Sequence, residues 1–111
     1  MPTLLSIAPE FAAEVENALR AAGRDDLGSQ IQSAEIDRCT HEQPIDAGYV
    51  YFVRPAPSAH FAKLAAPVAQ TISFYDDRGL VVDVDHDGHL YGIELLNRSD
   101  VIAQLQHAHA L

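Results

Sequence analysis

Between residues 71 and 96 the chain sets three short β-rich runs apart by two Asp/Gly turns. Thr71–Tyr75, Leu80–Asp85 and Leu90–Leu96 are strand-like, and Asp76-Asp77-Arg78-Gly79 and His86-Asp87-Gly88-His89 separate them. Short turns of this composition between β-branched and aromatic runs specify antiparallel hairpins. This third of the chain is therefore expected to be a three-stranded meander, and the rest must fold around it.

Upstream, Tyr49-Val50-Tyr51-Phe52-Val53 has the composition of a further strand, ended by Pro55 and Pro57. Ser33–Arg38 alternates, with Ala34 and Ile36 facing one way and Glu35 and Asp37 the other, as in a half-buried strand. The intervening Thr40–Gly48 holds Pro44, Asp46 and Gly48 and is expected to be a loop. Helical spacing occurs at the two ends. Phe11, Val15, Ala18, Leu19 and Ala22 form one stripe of a helix over 9–22, with Pro9 in its first turn and Gly23 as its stop. Asp25 is expected to cap a short helix through Gln30 that buries Leu27 and Ile31. Ser99 is expected to cap a closing helix whose stripe is Val101, Ile102, Leu105 and Ala108. Ser58–Gln70 reads either as two helical turns stopped before Pro67 or as a loop pinning Phe61 and Leu64. The expected class is α+β: an antiparallel sheet of about five strands with the N-terminal and C-terminal helices on one face. At 111 residues the chain is expected to form a single domain.

The segment Ser73-Phe74-Tyr75-Asp76-Asp77, followed by the run Leu80 to Leu96 with its Asp83-Val84-Asp85-His86-Asp87-Gly88 hairpin and Gly92-Ile93-Glu94, resembles a small bacterial family catalogued as domain of unknown function twenty-two eighty-three. The resemblance covers roughly the C-terminal third. It implies a small meander sheet and carries no activity.

The chemistry the sequence offers is thin. Asp83-x-Asp85-x-Asp87-Gly88, with Glu94 six residues after the glycine, satisfies the string of a calcium-binding EF-hand loop. Such a loop needs a helix on each side, whereas Val81, Val82 and Val84 precede it and Tyr91, Ile93 and Leu95 follow. In a strand, Glu94 would lie about 20 Å from the turn at about 3.3 Å per residue. The expectation is a hairpin with an acidic tip, binding calcium weakly if at all. Cys39-x-His41 lacks the second ligand pair that zinc requires. His86 and His89 flank a turn, and His107 and His109 differ by two residues, so they point to different faces of a helix. No nucleophile elbow and no glycine-rich phosphate loop occur. No catalytic residue, metal site or cofactor is expected.

Charge narrows the partner. Sixteen acids against seven bases give −9, spread evenly: nine acids and four bases in residues 1–56, seven and three in 57–111. A negative surface repels nucleic acid and speeds encounter with a basic protein. The lone Cys39, the lack of an N-terminal secretory pattern and the lack of a long apolar run point to the cytoplasm, with no membrane association. The leading expectation is a non-enzymatic, acidic protein-binding domain. Its most concrete form is an immunity-type or antitoxin-type inhibitor of a basic, nuclease-like toxin. Its expected contact residues are Asp76, Asp77, Asp83, Asp85 and Asp87 at adjacent hairpin ends, with Tyr75 and Tyr91 as anchors. Two alternatives differ in kind. A small-molecule or metal-binding domain would gather Cys39 and His41 with Tyr49 or Tyr51 in one pocket. A self-associating structural protein would pair the edge Ser33–Arg38 across a two-fold axis, giving a homodimer.

Overall fold

The computed structural model describes residues 2–56, 66–74 and 78–110, with side chains as far as residue 107. Among these residues, four helices, α1 (Leu4–Ile7), α2 (Pro9–Ala21), α3 (Asp25–Ile31) and α4 (Ser99–Ala110), accompany five strands. These are β1 (Ile36–Glu42), β2 (Ala47–Phe52), β3 (Val68–Phe74), β4 (Leu80–Asp85) and β5 (Leu90–Leu96). The strands form one antiparallel sheet in the order β1-β2-β5-β4-β3. The α+β class is as expected, and the bounds of β4 and β5 coincide with the sequence reading.

Alternation along each strand sorts side chains between the two faces. Val50, Phe52, Leu80, Val82, Val84, Ile93 and Leu95 join Leu4, Phe11, Val15, Leu19, Leu27, Ile31, Ile102 and Leu105 in one buried cluster. The four described helices thus cover one face of the sheet, and none of them lies on the other. The approach of α4 is tight: a Cβ on Gly48 would meet Ile102 Cδ1 at 2.6 Å. Each large aliphatic side chain so buried contributes about 1.5–3 kcal/mol.

Local chemistry fixes the joints. Helix α2 ends where expected: Gly23 takes φ +79°, its N–H donates to Arg20 O (3.0 Å), and Arg24 N–H donates to Leu19 O (2.9 Å). This double closure is the Schellman motif that glycine permits. It places Arg24 immediately before α3, so the expected Asp25 cap is corrected. Arg24 O accepts Gly28 N–H (3.0 Å), and Asp25 and Asp26 lie in the first turn without a side-chain cap bond. Ser99 is likewise inside α4, because Arg98 O accepts the N–H of Ile102 (3.0 Å). Ala22 is exposed and Ala12 is buried instead, while Val101, Ile102 and Leu105 are buried as read. The side chain of Ala108 and residues 57–65 lie outside the described part, so neither reading of Ser58–Pro67 is resolved there. Val68–Gln70 begin β3.

Two larger corrections concern the N-terminal half. Thr40, His41 and Glu42 belong to β1, so the turn is reduced to a 3-10 turn, Gln43–Ile45, and Asp46 at φ 47°. The extended stretch at 34–36 leads into that strand, of which Ile36 is the first residue. Leu4 N–H donates to Ala34 O (2.9 Å) and Ile36 N–H to Pro2 O (2.8 Å), while Val53 N–H donates to Glu35 O (2.9 Å). The proposed dimer edge at Ser33–Arg38 is therefore occupied on both sides over residues 34–36. On the helix side, Arg98 ties α2 to the end of β5: its guanidinium grips Glu14 (2.8 and 3.0 Å) and donates to Arg78 O (2.8 Å).

Candidate functional site: the helix-free face of the sheet

Residues directly opposite one another in antiparallel strands share a face, so the register builds this surface row by row. One row runs Arg38, Tyr51, Gly92, Asp83, Thr71; the next runs Thr40, Tyr49, Glu94, Val81, Ser73; a third runs Glu42, Ala47, Leu96. Tyr91 joins them through an irregularity. Asp83 pairs with Gly92 but Val84 pairs with Leu90, so Tyr91 is the extra residue of a bulge. Strict alternation would put Tyr91 inside with Ile93 and Leu95. The bulge turns it out.

The result is an aromatic cluster. Tyr49 and Tyr51 have ring centroids 4.5 Å apart, and Tyr91 stands edge-on to both, at 6.5 and 6.0 Å. Guanidinium groups lie over its two flanks: Arg38 is 4.1 Å from the Tyr51 centroid and Arg54 is 4.6 Å from that of Tyr91. Such cation–π stacks contribute about 0.5–1 kcal/mol at exposed sites.

Tyr49 leans across β5 toward β4. The missing side chain of Gly92 makes room: a Cβ there would strike the Tyr49 ring. The Tyr49 hydroxyl donates to Asp83 (2.6 Å), and the Thr71 hydroxyl donates to the other carboxylate oxygen (2.7 Å). Burial, then the bonded Asp83 carboxylate, pushes the Tyr49 phenol far up from its ordinary value. It is held protonated near neutral pH as the donor to Asp83.

Asp85 has a different task. It is 6% exposed. One oxygen accepts the N–H groups of Asp87 (2.9 Å) and His89 (2.8 Å), and the other accepts Arg54 (2.7 Å). Burial alone would raise its pKa, but the His89 N–H, the Arg54 guanidinium and the Asp87 N–H together hold the carboxyl below its usual range. Asp85 thus shapes the β4–β5 turn and aims Arg54 onto Tyr91. Gln30 clamps the same turn from α3, donating to Gly88 O and accepting from Leu90 N–H, both at 2.9 Å.

Of the residues expected to form an acidic contact patch, Asp83 and Tyr91 lie on this face, Asp85 is buried beside it, and Asp87 is exposed at the turn. Tyr75, Asp76 and Asp77 lie outside the described residues. Of the described residues beside them, Phe74 pairs with Leu80 at the other end of β4 from Asp85, five residue steps or about 17 Å away. The alternative pocket is not assembled. Cys39 and His41 pair with Val50 and Gly48 on the helix side, whereas Tyr49 and Tyr51 face the other way. Burial pushes the Cys39 thiol up to about 11, and His41 is bonded to Asp46 (3.0 Å). The EF-hand string is a hairpin with strand flanks, and its Glu94 stands opposite Tyr49 and Val81. Among the described residues, no group of three or more His, Cys, Asp or Glu side chains is placed to hold a metal ion.

Sequence reasoning singled out Tyr91 but missed its companions Tyr49, Tyr51, Arg38 and Arg54 as a site. The alternation of Tyr49 and Tyr51 was the available signal. No protein-family model matches the chain, nor does any curated protein or solved structure.

Proposed function

We propose that this chain is a non-enzymatic protein-binding module that engages a basic protein through the helix-free face of its sheet. The observation that carries the reading is the cluster of Tyr49, Tyr51 and Tyr91 flanked by Arg38 and Arg54 on a face that no helix of the described residues covers. Tyrosine and arginine dominate the energetic centres of protein interfaces, because they bring large area and polar tips at low entropic cost. Here hydrogen bonds and stacks already hold their rotamers, so little freedom remains to be lost on binding. The net charge of −9 supplies attraction toward a basic partner. In its most concrete form the module is an immunity-type or antitoxin-type inhibitor that covers a basic, nuclease-like toxin in the cytoplasm. No helix among the described residues is long and apolar enough to cross a membrane.

The test is affinity capture from lysate at low and high salt, with the wild-type chain and with Tyr51→Ala. The reading expects one basic protein, retained at low salt, released at high salt and not retained by Tyr51→Ala. Retention of no basic protein, or equal retention by Tyr51→Ala, would refute it.

A further inference from the structure

The half-buried acids of the described residues follow one rule with one exception. Glu14 is held by Arg98, Glu16 by Arg20, Asp46 by His41, and Asp83 by Tyr49 and Thr71; buried Asp85 is held by Arg54. Glu94 is equally half-buried, yet no side chain of the described residues hydrogen-bonds or ion-pairs with it. A carboxylate moved out of water without a partner is unfavourable. It is kept at little cost where an incoming cation completes it.

The surroundings of Glu94 have the shape for that cation. Tyr49 leans toward Asp83, away from β1, and the next row has only the methyl group of Ala47 between Glu42 and Leu96. The two effects leave a hollow of about 360 Å³, walled by Ile45, Tyr49, Tyr51 and Leu96 and flanked by Glu42 and Glu94. Glu42 and Glu94 stand on strands either side of β2 in neighbouring rows, so their backbones are two strand spacings across and two residues along, about 12 Å apart. Ile45 on the rim is 65% exposed, which supplies an apolar lip. An open hollow with aromatic and aliphatic walls beside two carboxylates suits a long aliphatic stem with a cationic head.

We propose that this hollow is the subsite for an arginine or lysine side chain of the basic partner, with Glu94 as its principal acceptor, Glu42 as the second, and the Tyr49, Tyr51 and Leu96 walls packing the stem. The inference rests on the protein-binding reading above and gives it a specific point of contact. Arginine fits best, because its planar fork can meet one carboxylate in bidentate fashion while its plane lies against a tyrosine ring.

The test needs no partner. Blocked arginine (N-acetyl-arginine methylamide) is titrated into the whole chain at low salt while backbone amide resonances are followed. Blocked citrulline, its neutral isostere, is the control. The inference expects saturable shifts confined to Glu42, Ala47, Tyr49, Glu94 and Leu96, absent with citrulline. Affinity should fall at least fivefold in Glu94→Gln and by a smaller factor in Glu42→Gln, and stay unchanged in Glu10→Gln, an exposed acid on α2. Equal shifts with citrulline, shifts elsewhere on the chain, or equal weakening by Glu10→Gln and Glu94→Gln would overturn it. If the arginine probe fails while Tyr51→Ala still abolishes capture of a basic protein, the subsite is wrong and the module stands. If the probe binds as described but no basic protein is captured, the subsite stands and the module reading fails.

Discussion

The two faces of the sheet use the same strands and opposite chemistry. On the helix-covered face, Val50, Val82, Ile93 and Leu95 are fully buried against α2 and α4. On the other, Tyr49, Tyr51 and Tyr91 are held by hydrogen bonds and stacked guanidinium groups. A close-packed apolar face is stabilised by area and shape, and it has nothing further to offer a partner. A face held by directional polar contacts can be ordered while its ring surfaces stay open. The fold depends mainly on the first face, and no described helix covers the second.

Substitutions of decreasing expected effect test that division. Ile93→Ala removes a fully buried side chain from the covered face. It should cost about 2–5 kcal/mol in urea unfolding. Arg54→Ala breaks a face contact that is also buried, leaving the Asp85 carboxylate with its backbone N–H donors but without its guanidinium. A loss of about 2–3 kcal/mol is expected. Gly92→Ala should evict Tyr49 from Asp83. It is expected to cost about 2 kcal/mol and to expose the Tyr49 phenol, shown by its tyrosinate absorbance moving to lower pH.

Acid sharpens the same point. The Asp85 carboxyl is depressed in the folded state, so the stability it contributes is present above its ordinary unfolded value, about pH 4, and is lost as pH falls through the lower folded value. Acid titration of the unfolding free energy should show this loss, and Arg54→Ala should flatten it. On the covered side, the raised Cys39 thiol should react slowly with iodoacetamide at pH 8 in the folded protein and quickly in urea. Equal rates would place Cys39 outside the packed layer.

Legibility in the sequence divides in a similar way. The covered face was readable: the stripe Phe11, Val15, Ala18 and Leu19, and strands β4 and β5 between Asp/Gly turns, are patterns of hydrophobic period and turn chemistry. Helix α1 was not, because four residues are too few for a period. Its only local signal is the Thr3–Ser6 capping exchange, with donor–acceptor distances of 3.2 and 3.1 Å. Thr40-His41-Glu42 read as loop because an edge strand with one solvent side is polar throughout. The tyrosine face depended on register: Tyr49 and Tyr51 meet Tyr91 only through the bulge beside Gly92, and no local pattern specifies that pairing. The acid excess was visible as a count. Which acids are consumed internally, such as Asp85, and that half-buried Glu94 has no side-chain partner among the described residues, required the three-dimensional structure.

The most direct test of the division between faces is the double variant Tyr51→Ala/Tyr91→Ala, measured for retention of the captured basic partner after its cooperative urea transition has been verified. The account expects a folded protein, destabilised by about 1–2 kcal/mol from the lost cross-strand contacts, that retains the partner at least tenfold more weakly than wild type. Full retention by the folded variant would contradict a binding role for the helix-free face. Loss of the cooperative transition would contradict the claim that the fold depends mainly on the other one.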